Sequence, residues 1–189
     1  MSYDLTKAFD RLKPDVILHR LQECHFPRTF LLWIKSYLTD RRQYVKAGEF
    51  LSDIIPVTSG VPQGSILGPY LFSAVMGSFS TARSDSLIIK YADDCAFCFP
   101  LYVGQSNDHV VVEHNRFLSW CSDMGFTINF KKCKSLVVRG RQHCVPQELR
   151  NVVTVNSLKL LGVIFQENLS WNMHFDNVVL SASRRLGGI

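Results

Sequence analysis

No run of apolar residues approaches the ~18 needed to span a bilayer. FLLWI at 30–34 and LIIKYA at 87–92 are pieces of core size, so no membrane partner is expected. A disulfide framework is missing too. The six cysteines, Cys24, Cys95, Cys98, Cys121, Cys133 and Cys144, are scattered, and no secretory leader precedes them. Free thiols in a reducing compartment follow, and with them a place inside the cell, in nucleus or cytoplasm, rather than secretion. Cys95 and Cys98 form a CxxC, but no second CxxC or His pair stands ready to complete a zinc site. On a strand, residues three apart point to opposite faces. Repeats, low-complexity tracts and linkers are also absent, which argues for one domain. Charge of one sign is only mildly in excess: 21 Lys and Arg against 16 Asp and Glu give +5. That suits a phosphate-bearing partner without requiring one.

What is present is a chain of 189 residues, 47% apolar, enough for one ordinary core. PDVILHRLQEC at 14–24 opens with a proline suited to a first helical turn. In RTFLLWIKSYLTD, Phe30, Trp33, Ile34, Tyr37 and Leu38 fall at the spacing of one buried helical face. QYVKAGEFLSDIIPV predicts a hairpin turning at Ala47 and Gly48. SGVPQGSILGPYLFSAVMGSF predicts a loop and then a buried helix beginning near Pro69. A further helix carries Val110, Phe117, Cys121 and Met124, with Val111 and Leu118 beside them. FTINF, SLVVR and LKLLGVIF each predict a strand, the first two separated by Lys131, Lys132 and Lys134. A last helix bears Trp171, Phe175, Val178, Val179, Ala182 and Leu186, with Trp171 read as core and His174 as structurally satisfied. Helix pairs and hairpins without regular alternation indicate an α+β fold.

LIIKYADDCAFCF at 87–99 places Asp93 and Asp94 at the tip of a predicted hairpin. Aspartates are good turn formers, so a solvated turn is the plain explanation. Two like charges beside apolar walls, however, are normally held ionised by a cation. Magnesium, a hard ion that takes carboxylate and phosphate oxygens, is the natural one, with Asp4 in YDLTKAFD as the third carboxylate.

DLTKAFD, SGVPQGSILGPYLF, YADD, GFTINFKKCK and LKLLGVIF occur in the order of the palm motifs of reverse transcriptases. The chain most resembles those of non-LTR, LINE-like retrotransposons, over nearly its whole length. The resemblance implies a palm, an antiparallel sheet packed on helices, over 1–165, and the start of a thumb helix over 166–189. It implies an RNA-directed DNA polymerase that adds dNTPs to a DNA primer 3′-hydroxyl on an RNA or DNA template, by two-metal nucleotidyl transfer. The ions would be two Mg²⁺, with Mn²⁺ as the substitute. Asp4, Asp93 and Asp94 take the catalytic and metal-binding positions, joined by the backbone carbonyl of Leu5.

Phe9 falls where the family excludes the ribose 2′-hydroxyl, although phenylalanine is also a common core residue. Gln63 and Gly64 match the loop beside the incoming nucleotide, where Gly60 and Gly64 let backbone come close to a ligand. Lys132 matches a lysine near the triphosphate. Tyr91, Leu161 and Gly162 fall at primer-gripping positions, with a plain β-turn as the alternative for the last two. Arg41 and Arg42 suit template phosphates or an exposed basic turn. Asp10 is set aside as a residue that caps a turn as readily as it touches substrate.

Only three residues precede Asp4, and the fingers and most of the thumb that the family carries are not in this stretch. They are expected as partner segments of a longer polypeptide. Two expectations follow: a palm that works within that polypeptide, or a catalytically silent truncated remnant that folds and binds nucleic acid.

Overall fold

The computed structural model describes residues 1–138, 140 and 148–187. Its elements are, in order, β1 (Ser2–Tyr3), α1 (Ala8–Arg11), α2 (Pro14–Glu23), α3 (Arg28–Leu38), β2 (Arg41–Gln43), β3 (Lys46–Ala47), β4 (Phe50–Leu51) and β5 (Ile55–Val57). There follow α4 (Leu67–Met76), β6 (Leu87–Tyr91), β7 (Asp94–Cys98), α5 (Asp108–Asp123), β8 (Lys134–Leu136), β9 (Val153–Val155), β10 (Ser157–Leu160), β11 (Val163–Gln166) and α6 (Asn172–Leu186). The main sheet has the order β6-β7-β1-β8-β9, antiparallel except for the parallel β8–β9 pair. This is the expected α+β architecture. No helix among the described residues is long and apolar enough to cross a membrane.

The core lies where Tyr3 of β1 and Phe97 of β7 meet Phe72 of α4 and Phe117 of α5, all four almost fully buried. Tyr3, Phe97 and Phe117 form a mutual cluster with ring centroids 4.9–5.3 Å apart. Offset and edge contacts of this kind add to the area buried. Cys95 is buried and Cys98 exposed, as strand alternation requires of residues three apart. Burial pushes the Cys95 thiol up to about 12, which leaves it unreactive. Cys144 and part of SLVVR lie outside the described residues.

Several elements differ from the sequence-based expectation. On α3 only Ile34 and Leu38 are buried; Trp33 is exposed and stacks with Tyr37 along the helix surface. The expected hairpin at 43–57 is two short ladders in series, β2–β5 and β3–β4, with Gly48 at φ 61 in the inner turn. The buried helix begins at Leu67, two residues before Pro69. FTINF is not a strand: a single bridge joins Ile128 to Leu5. LKLLGVIF is two strands, since Leu161 and Gly162 both take positive φ and turn the chain back. The stripe on α6 is exposed, Trp171 included at 49%, so Trp171 is not core. His174 Nδ1 is buried without a hydrogen-bond partner, so that ring is not satisfied. The periodicity of α6 is real, but its apolar side stays exposed even though β11 lies against the helix and Phe165 meets Trp171 with ring centroids 6.0 Å apart.

Candidate active site

β1 and β7 run antiparallel with Ser2 opposite Ala96 and Tyr3 opposite Cys95. One step further, that register sets Asp4 across from Asp94. Side chains alternate along a strand, so the two carboxylates leave the sheet on the face opposite the buried Tyr3 and Cys95. Ala92 and Asp93 form the turn between β6 and β7, Ala92 at φ 52, while Asp94 is already the first rung of β7, opposite Tyr91. Tyr91 is exposed beside them. The segment after β1 is anchored laterally: Asn129 N–H donates to the Asp4 carbonyl at 2.9 Å and Thr6 N–H to Thr127 at 2.8 Å.

Burial raises the Asp94 carboxyl above its ordinary value, the charges of Asp93 and Asp4 add to the rise, and Lys132 opposes it. Three negative side chains therefore share one field. Lys132 stands in the turn after Asn129, and its Nζ donates to Asp4 Oδ2 at 3.2 Å. Among the described residues no group of three His, Cys, Asp or Glu side chains closes into a metal-holding cluster. The donor set still suits a hard divalent cation, because it offers only carboxylate oxygens whose mutual repulsion such an ion relieves.

A second region adjoins α1. The half-buried Phe9 ring stacks on Phe72, centroids 4.1 Å apart and planes at 18°. The same ring lines a cavity of about 270 Å³ with Val61, Pro62, Gln63, Gly64 and the first turn of α4. Phe9 is thus packed on the core and presented to the cavity at once. Gly60 sits at φ 80, and a Cβ there would stand 2.8 Å from Asp10 Cα and 2.9 Å from the Phe9 carbonyl oxygen. Its close approach is to the chain's own backbone rather than to a ligand. Gly64, at φ 78, has open space around it and needs glycine for its conformation alone. Arg41 spends its guanidinium on the carbonyls of Leu38, Ser59 and Gly60 at 2.5–3.0 Å, so it braces this loop, and Arg42 alone of the pair is exposed.

Sequence reasoning set Asp10 aside, yet Gln63 Nε2 donates to Asp10 Oδ1 at 2.5 Å. It also passed over Glu113 and His114, both buried. Glu113 accepts from Ala82 N–H at 2.8 Å and from Arg116 at 2.8 and 2.9 Å. His114 Nδ1 lies 2.6 Å from the Tyr3 hydroxyl, immediately behind Asp4. The signal was available: His114 continues the spacing of Val110, Phe117 and Cys121, a polar residue on an apolar stripe. Leu161 and Gly162 form the exposed turn between β10 and β11, with φ 48 and 86, at some distance in sequence from the carboxylates.

A strand end facing a hairpin that carries paired aspartates, packed on helices, is a palm-type arrangement. Residues 1–165 match the family described as reverse transcriptase (RNA-dependent DNA polymerase), and the chain belongs to that family. It is 28% identical over 186 residues to the RNA-directed DNA polymerase from mobile element jockey of Drosophila melanogaster, covering 93% of this chain and 20% of that protein. It is also 28% identical to a probable RNA-directed DNA polymerase from transposon BS of Drosophila melanogaster, covering 90% and 20%. The chain thus spans about a fifth of the length of these curated relatives. Among solved structures, a Candida tropicalis telomerase in complex with a fragment of telomeric RNA superposes with a TM-score of 0.59 at 15% identity. That match covers 90% of this chain and 28% of the telomerase, and it speaks to the fold.

Proposed function

We propose that the chain is the palm of an RNA-directed DNA polymerase from a non-LTR retrotransposon, with the palm over 1–165 and the thumb beginning at 166–189. It would extend a DNA primer with dNTPs on an RNA or DNA template, inside the cell, in nucleus or cytoplasm, together with fingers and thumb segments of a longer polypeptide. The observation that carries this is the register that sets Asp4 across from Asp94, beside Asp93. Asp4, Asp93 and Asp94, with the Leu5 carbonyl, would hold Mg²⁺, or Mn²⁺ in its place. When bound, two such ions lower the pKa of the primer hydroxyl and neutralise the departing pyrophosphate. Phe9 would press on the nucleotide sugar, and Gln63 and Gly64 would form the floor beneath it. Lys132 would exchange Asp4 for the triphosphate and offset its charge. Tyr91, Leu161 and Gly162 would support the primer strand.

A second reading, a folded but catalytically silent piece that binds nucleic acid, is favoured by the Lys132–Asp4 ion pair, which occupies one of the carboxylates. Primer extension on a primed RNA template with Mg²⁺ and dNTPs separates the two. Incorporation that Asp93→Ala abolishes supports the polymerase. No incorporation by either protein, with folding verified by circular dichroism, makes it a silent piece or a palm that needs its missing segments, and the same assay on the longer polypeptide tells these apart.

A further inference from the structure

We infer that Asp10 is a positioning residue that fixes the side-chain amide of Gln63 for an incoming nucleotide. This rests on the polymerase reading above. An exposed carboxylate is an acceptor only, whereas an amide offers NH₂ at one end and a carbonyl oxygen at the other. The 2.5 Å contact from Gln63 Nε2 to Asp10 Oδ1 therefore selects one of the two amide orientations and commits one N–H to the protein. Among the described residues Oε1 and the second N–H remain without a partner, and Gln63 lines the cavity that Phe9 also lines. The free acceptor suits a donor on the nucleotide, and its direction is set before the ligand arrives. Preorganisation of this kind lowers the ordering cost of binding.

The surroundings make the contact rigid. The Asp10 carbonyl accepts from Ser59 Oγ at 2.9 Å, Val61 N–H donates to the Phe9 carbonyl at 3.0 Å, and Gly60 N–H donates to the Leu12 carbonyl at 2.8 Å. The loop that carries Gln63 is thus laced to the backbone of α1. The Asp10 side chain reaches Gln63 while the bonds of that lattice are made by backbone atoms and Ser59, so its replacement leaves them in place.

Two measurements on the chain test this. The first is Mg²⁺-dependent binding of a fluorescent dNTP to the wild type, Asp10→Ala, Gln63→Ala and the double variant. Each single change weakens binding roughly tenfold, as expected for a hydrogen bond to a charged group. The double variant is no weaker than either, since the two residues act as one unit. Thermal melting stays at the wild-type temperature, which a merely structural role would not allow, and Asp10→Asn restores part of the affinity. The second is the ¹H–¹⁵N signal of the Gln63 side-chain amide, assigned by its loss in Gln63→Ala. It shifts in Asp10→Ala. Binding that ignores Asp10, or effects of the two variants that multiply, overturns the inference. A wild type that takes up no nucleotide bears on the polymerase reading of this chain without its fingers, not on the contact. The amide signal then still decides the contact: if it is unmoved by Asp10→Ala, the inference fails.

Discussion

Lys132 Nζ and Asp4 Oδ2 lie 3.2 Å apart across 128 residues of sequence. The lysine is two-thirds exposed, so the pair is screened and weak. It nevertheless sets one cation against another for the same oxygen. Replacement of Lys132 by alanine should tighten Mg²⁺ binding by about two- to fivefold, the equivalent of a surface pair. Titration calorimetry with Mg²⁺ checks it; an unchanged or weaker affinity would show that the lysine does not compete for Asp4. In primer extension the same variant should lose rate, because the proposed role at the triphosphate goes with it.

Asp94 stands across from Asp4 and beside Asp93, and like charges directly opposed on paired strands are destabilising. Asp94→Asn should therefore stabilise the chain by a few tenths to about 1 kcal/mol while removing activity. Urea unfolding at pH 7.5 measures the gain. A destabilised variant would mean that the carboxylate serves packing rather than an ion.

Much of this site was legible because its residues sit in short contiguous motifs whose local structure is strong. The β6–β7 hairpin follows from two β-rich runs around YADD, and the pairing of β1 with β7 explains how Asp4 reaches it. The misses have physical causes. An apolar stripe reports that a helix has an apolar side, not that a partner covers it, which is why Trp33, Trp171 and Phe175 are exposed. A two-residue turn inside LKLLGVIF hides in an unbroken apolar run, because Leu161 takes a positive φ that its residue type does not advertise. Arg41 and Arg42 look alike in sequence, but only tertiary structure hands one of them three carbonyls.

Gly60 and Gly64 share a positive φ but not a neighbourhood. Gly60→Ala would drive a methyl into the Phe9–Asp10 backbone and should cost about 2–4 kcal/mol. Gly64→Ala meets nothing within 4 Å and should cost about 1 kcal/mol for its left-handed backbone alone. Thermal and urea unfolding rank the two, and equal losses would refute the close approach at Gly60.

The Tyr3–His114 contact is buried, so it should matter more than an exposed hydrogen bond of the same 2.6 Å length. Tyr3→Phe leaves His114 without its partner and should cost about 1–3 kcal/mol. Burial holds the His114 pKa below its usual 6.5, and it pushes the Tyr3 phenol well above its ordinary range, so both are neutral in the folded chain at pH 7. The unfolded state then binds more protons than the native state once the pH drops below 6.5. Stability contributed by neutral His114 is thus complete above 6.5 and declines as the pH falls toward the depressed folded value. Urea unfolding at pH 7.5 and 5.5 should show a loss on acidification that is smaller in His114→Leu, where no ring titrates. If the two proteins lose equally, other groups carry the pH dependence. If His114→Leu loses less and Tyr3→Phe also lowers stability, the residue behind Asp4 is held by an uncharged imidazole.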